Sequence, residues 1–323
     1  MTKRPITPSE RTQWAAMAHL LALQSIGQSE TLTNQAERNL AFHGGTSLHL
    51  SWGSPRFSED LDFLLSAKAR TRLAKEMDEV VNRMREHLLL IDPELALAVK
   101  DKSTDRMGNF HLTLSKPGVL GSVMVKLEFW TVSPTYLERY ETTLRTPGVP
   151  VNLGGATVRV NSMLPAATLE SAYLDKLTAF ATRPHLKWRD LFDFWWLTQA
   201  GADTCVHANN ETLCTRFLSH LSAYETVNKL TPDQALKRFA LTLGDIDAVA
   251  AAAERDLKPF LPPAMWSQVK GERVIEMVKA ARDGSMYMAG RLLSWAAAVA
   301  EQDKPDLGEN ELVVAPAKKP RMH

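Results

Sequence analysis

Cysteine is almost missing: Cys205 and Cys214 are the only two among 323 residues. Neither sits in a Cys-x-x-Cys pair or near a histidine pattern. That excludes a disulfide framework and a structural zinc site, and fits a reducing, cytoplasmic setting. An excess of one charge is missing too. Lysine and arginine number 38 and aspartate and glutamate 37, for a net charge of +1. A uniformly basic nucleic-acid binder is therefore excluded, while a local basic site is not. No apolar run reaches the roughly 18 residues of a membrane span, so no membrane partner is expected. The N-terminal MTKRPITPSERTQW lacks an apolar stretch and predicts no signal peptide. With 45% hydrophobic and 23% charged residues, the composition is that of a globular protein able to bury its own core.

What is present divides into two textures. Thr7-Pro8-Ser9-Glu10 is an N-terminal cap signal. Trp14, Met17, Leu20, Leu21 and Leu23 follow at helical spacing, which predicts a first helix starting after Thr7 or Ser9. A second helix is predicted over 30–41. His43-Gly44-Gly45-Thr46 breaks the pattern, Ser47 to Trp52 reads as a short helix, and residues 53–59 as a loop. Asp60 to Leu65 reads as a strand, 67–90 as a long surface helix, and 95–99, 109–115 and 123–131 as strands. The turn-rich stretch 147–155 marks a domain boundary, with a short strand at 157–160. From Pro165 the pattern is helical, with segments near 166–181, 188–200, 209–224, 232–242, 245–256 and 271–301. Residues 303–323 are polar and read as a disordered tail. The fold class is thus α+β: a mixed sheet with helices in the N-terminal half and an all-helical C-terminal half.

The chemistry gathers at the acidic strand. Asp60 and Asp62 lie two apart, so period two puts both carboxylates on one face, about 7 Å apart along the chain. Leu61, Phe63 and Leu65 then point to the packed face. Two like charges side by side repel unless a cation sits between them. Oxygen ligands without histidine favour Mg²⁺ or Mn²⁺ over Zn²⁺. Glu128 is the candidate third ligand, being the acid on the polar face of the 123–131 strand. If that strand neighbours the acidic one, all three carboxylates share a face. Gly44, Gly45 and Thr46 offer the complement: backbone N–H groups that approach phosphate closely, a following helix N-terminus, and a hydroxyl donor. The spacing is neither a Walker A nor a dinucleotide-binding loop. Taken singly, a pair of acids is also what an exposed strand edge carries, and two glycines are also a turn. Arg56 is read either as a structural partner of an acid or as a phosphate contact. His43, His49 and His111 fall in no metal-ligand spacing and read as solvated or capped.

A second cluster lies in LESAYLDKLTAFATRPHLKWRDLFDFWWL. Lys176 sits on a predicted helix whose apolar stripe is Leu169, Tyr173, Leu177 and Phe180. Asp175 beside it reads as solvated. Arg183 to Lys187 is a loop, and Asp190, in the first turn of the next helix, alone reads as a cap. Phe192, Phe194, Trp195 and Trp196 read as core rather than a base-stacking platform.

The run FHGGTSLHLSWGSPRFSEDLDFLL resembles the AbiEii/AbiGii (MenT-like) nucleotidyltransferase toxins of the DNA polymerase β-like superfamily, which carry a Gly-Gly motif followed by Asp-x-Asp on the next strand. The second cluster resembles that family's lysine helix and its Arg-Asp run. Lys176, Arg183, Lys187, Arg189, Asp190 and Asp193 match, although Pro184-His185-Leu186 lengthens the arginine-to-lysine spacing. The motifs cover about residues 40–200. The resemblance implies residues 1–155 as a nucleotidyltransferase α/β domain and 156–302 as a helical domain completing the cleft. It implies Asp60, Asp62, Lys176 and Asp190 as catalytic, and Asp60, Asp62 and Glu128 as ligands of Mg²⁺ (or Mn²⁺). It further implies Gly44, Gly45, Thr46, Lys176 and Arg189 as nucleotide-binding.

The implied reaction moves a nucleoside monophosphate from an NTP to an acceptor hydroxyl, the 3′ end of tRNA in particular. The protein would be the toxin of a bacterial toxin–antitoxin or phage-defence (abortive infection) system, with a separate cognate antitoxin and no DNA partner. Two other readings of the same residues stand beside it. One is transfer to a Ser, Thr or Tyr hydroxyl of a protein; the other is a non-catalytic nucleotide-sensing module.

Overall fold

The computed structural model describes residues 3–153, 156–224 and 230–302; the predicted tail at 303–323 lies outside them. Its centre is a seven-stranded mixed sheet built from β1 (Leu40–His43), β2 (Asp60–Ser66), β3 (Ala96–Asp101), β4 (Met107–Ser115), β5 (Val123–Val132), β6 (Thr142–Arg145) and β7 (Leu164–Ala167), in the order β3-β4-β5-β2-β1-β7-β6. β2 and β5 run parallel, while β1 and β2, β4 and β5, and β3 and β4 are antiparallel.

One face of this sheet is sealed by helices α1 (Pro8–Gly27) and α3 (Leu73–Ile91). The start of α1 is a full capping box between Thr7 and Glu10, with Pro8 in the first turn, which satisfies the free N–H groups there. Leu73, Met77, Val80, Val81, Met84 and Leu88 recur on one stripe of α3 and are all buried. They pack with Trp14, Met17 and Leu20 of α1 over Leu61, Phe63, Leu65, Leu127 and Phe129. Phe63 stacks on Phe129 at 4.9 Å between ring centres and meets Phe42 at 5.1 Å. Each such ring, taken fully out of water, contributes about 1.5–3 kcal/mol.

The other sheet face meets the helical part, whose core joins α4 (Leu169–Thr182), α5 (Trp188–Gln199), α6 (Asn210–Leu221), α7 (Pro232–Thr242), α8 (Ile246–Leu257) and α9 (Glu272–Gln302). Phe192 and Phe194 are fully buried in that core and Trp195 nearly so. Leu48 of α2 (Gly44–Trp52) joins it as well, so the short helix after the glycines is anchored in the helical part.

Three local expectations change. The predicted helix over 30–41 is helical only at Glu30–Thr33 and then turns. Asn34 Oδ1 accepts from the N–H groups of Ala36 and Glu37, and Leu40, Ala41 and Phe42 are buried in a central strand. A short apolar run buried on both faces has no alternation to read. The short helix expected from Ser47 starts at Gly44, directly after β1. The start of the helical half holds one more strand: Leu164–Ala167 pairs with β6, and Ala166 lies beside Phe42 of β1.

Candidate active site

Period two along β2 sends Leu61, Phe63 and Leu65 into the core, and Asp60 and Asp62 to the face that meets the helical part. The strand carrying Glu128 is the neighbour: Asp62 pairs in register with Glu128, and Asp60 with Lys126. The three acids therefore share a face and line one cavity of about 360 Å³, the size of a small-molecule site. Loss of hydration, with the Asp62 and Asp60 charges behind it, pushes the Glu128 carboxyl above its ordinary range. Loss of hydration likewise pushes Asp62 up, against the opposing influence of His43. Asp60 instead leans to Lys126, whose Nζ is 3.4 Å from its Oδ1.

Among the described residues, no group of three or more His, Cys, Asp or Glu side chains is gathered around one metal-sized point. The donor set nonetheless suits a hard divalent cation. It is all carboxylate, the hard oxygen donor that such ions prefer. Asp60 would exchange Lys126 for the ion.

The glycines are required by close approach. Gly44 has φ +75°, and a Cβ there would lie 2.5 Å from Asp62 Oδ2. A Cβ on Gly45 would strike the Arg56 guanidinium. Both glycines line the cavity at the start of α2, whose cap residue His43 makes no side-chain capping bond. Thr46, expected as a phosphate donor, does not line it. Its hydroxyl is buried and donates to the Asp60 carbonyl, tying the helix start to the acidic strand.

Opposite the acids, α4 and α5 bring in a buried ionic chain. Arg56 Nε and Nη2 donate to the two oxygens of Asp193 at 2.7 and 2.8 Å. Lys176 Nζ lies 2.7 Å from Asp193 and donates to Asp190 at 3.0 Å. Arg183 donates to the other oxygen of Asp190. Burial alone would raise the Asp193 carboxyl, but Arg56 and Lys176 hold it at about 2. Desolvation lowers the Lys176 ammonium. Arg56 is thus a partner of an acid. Arg189 lines the cavity and lies over the Phe260 ring at 4.6 Å, and Lys187 joins the same rim.

Asp175, read from sequence as solvated, is enclosed. Tyr140 Oη donates to one of its oxygens at 2.5 Å, His220 Nδ1 lies 2.8 Å from the other, and His43 Nδ1 lies 3.6 Å away. Burial would raise this carboxyl, but the hydrogen bond from His220 and the nearby His43 ring hold it well below its ordinary range. His43 is thus held in place rather than solvated. Helix α4 therefore sends two adjacent side chains into the cavity, Asp175 and Lys176. Sequence spacing carried no signal for Tyr140 or His220, which come from distant segments. Trp130 lies on the same face of β5 as Glu128, two residues further on.

Comparison with known proteins accords with this geometry. Residues 31–268 match the family described as Nucleotidyl transferase AbiEii toxin, Type IV TA system. The match spans most of the chain, which is a nucleotidyltransferase and belongs to the AbiEii toxin family of type IV toxin–antitoxin systems. Among solved structures, JHP933 from Helicobacter pylori is similar at 18% identity, covering 92% of this chain and 99% of that one with a TM-score of 0.48. A second H. pylori protein, described as a provisional nucleotidyltransferase, is similar at 18% identity over 90% of this chain and 99% of that one, with a TM-score of 0.47. A comparison with curated proteins finds no match. Among the described residues, no helix is long and apolar enough to cross a membrane.

Proposed function

We propose that the chain transfers a nucleoside monophosphate from an NTP to an acceptor hydroxyl at the 3′ end of tRNA, and that Mg²⁺ or Mn²⁺ is needed. The observation that carries the site assignment is the side-by-side placement of Asp62 and Glu128 with the Gly44 turn against Asp62. A divalent ion held by Asp60, Asp62 and Glu128 would polarise the α-phosphate and the attacking oxygen.

The chain's own residues do the rest. The uncapped N–H groups at Gly44 and Gly45 face phosphate oxygens. Lys176 spends two of its three donors on Asp190 and Asp193 and keeps one for the triphosphate. Asp190, held on both oxygens by Lys176 and Arg183, orients the lysine; a carboxylate so paired is a poor base. Arg183, Lys187 and Arg189 add positive charge where pyrophosphate departs. The resemblance supplies the tRNA end as acceptor and a separate antitoxin as partner, within a phage-defence setting.

The test is incubation of the protein with each labelled NTP and total tRNA or a protein lysate. Label on tRNA, abolished by chelation and by Asp60→Ala and restored by Mg²⁺ or Mn²⁺, is the expected result. Label on protein alone moves the acceptor to a side-chain hydroxyl. NTP binding without pyrophosphate release identifies a sensing module.

A further inference from the structure

The sheet order places the two ends of the cavity. Gly44 follows β1 on one side of the acidic strand, while Trp130 and Met107 belong to β5 and β4 on the other. Trp130 is two residues beyond Glu128 on the same face, about 7 Å along the strand, and Met107 is its register partner. Its indole N–H donates to the Ala223 carbonyl at 3.1 Å, which fixes the ring plane. Tyr224, from the segment after α6, lies nearly parallel to it, with ring centres 5.9 Å apart and planes at 19°. Both rings line the cavity, and neither is fully buried. The aromatic residues of α5 lie in the core and Phe63 is fully buried, so among the described residues this pair is the partly exposed Trp and Tyr surface of a charged cavity.

We infer that Trp130 and Tyr224 form a shelf on which the nucleobase of the incoming NTP stacks; this rests on the nucleotidyl transfer proposed above. Phosphates placed at the acids, the Gly44 turn and Lys176 leave the base one sugar away. Glu128 and Trp130 are separated by a span of that order. The indole N–H is already used by Ala223, so the shelf reads the face of a base rather than its edge. Stacking of this kind is available to every base.

The experiment is equilibrium binding of each NTP, and of inorganic triphosphate, to the full chain with Mg²⁺ and no acceptor. Trp130→Ala and Tyr224→Ala are expected to weaken NTP binding by roughly five- to a hundredfold and to leave inorganic triphosphate unchanged. Trp130→Phe keeps a ring face and should retain most of the affinity, whereas Trp130→Leu fills the space without one and should lose it. Equal NTP affinity in the Phe and Leu variants, or equal loss of NTP and triphosphate in both, overturns the shelf. A wild-type chain that binds neither ligand and transfers no label overturns nucleotidyl transfer itself, and the shelf with it.

Discussion

Asp62 and Glu128 are register partners on parallel strands, side by side on the sheet face turned away from the first core. Desolvation raises both carboxyls, with the Asp60 charge adding to each and the Asp62 charge adding to Glu128. Two acids placed at a cost to the fold are the ground for the cation site proposed above. Asp62→Asn and Glu128→Gln should each lower nucleotide transfer at least about a hundredfold while leaving the thermal midpoint unchanged or higher. A pKa unit of relieved strain is about 1.4 kcal/mol. Label transfer and a thermal melt on the same preparations check both halves. A large fall in the melt would show that the pair stabilises the fold.

Gly44→Ala puts a methyl group at φ +75° and against Asp62. The expected cost is about 1–3 kcal/mol of stability, together with loss of transfer because Asp62 must move. Denaturant unfolding and turnover should fall together. A variant of normal stability and activity would show that the turn tolerates a side chain.

Arg56 and Asp193 form a bidentate pair with almost no solvent exposure. Arg56→Ala leaves Asp193 with Lys176 alone, and should destabilise the chain by about 3–5 kcal/mol, as for other broken buried pairs. Arg56→Lys should recover little, because an ammonium cannot reproduce the planar fork. Urea unfolding of the three proteins gives the ranking.

The Asp193 carboxyl lies at about 2, below the ordinary 3.8. As pH falls, the unfolded chain takes up this proton first. The pair's contribution is therefore intact above about pH 4 and is lost as pH falls toward 2. Asp193→Asn should flatten the slope of stability against pH in that window. An unchanged slope would assign the acid sensitivity to other carboxylates.

Much of the site was readable from local pattern. Alternation on the 60–65 and 123–131 segments placed Asp60, Asp62 and Glu128 on a polar face, because strand geometry alone decides which side a residue takes. The long amphipathic helices were legible for the same reason: their apolar stripes repeat at the helical period. Leu40–His43 was not legible as a strand, since burial on both faces erases alternation. Thr46 carried a misleading signal. A hydroxyl after two glycines suits phosphate chemistry, and only packing shows it spent on the Asp60 carbonyl.

The sequence by itself determined the acids, the glycines, the lysine helix and the family motifs they spell, since each depends on residue type and short spacing. Tertiary structure decided which residues meet across the sheet and between its two halves. It made Arg56 a partner of Asp193 at 137 positions' distance. It enclosed Asp175 with Tyr140 and His220, and set Tyr224 on Trp130 beside the acids. Contacts of that range are chosen by the burial of two cores against each other, and local spacing carries no trace of them.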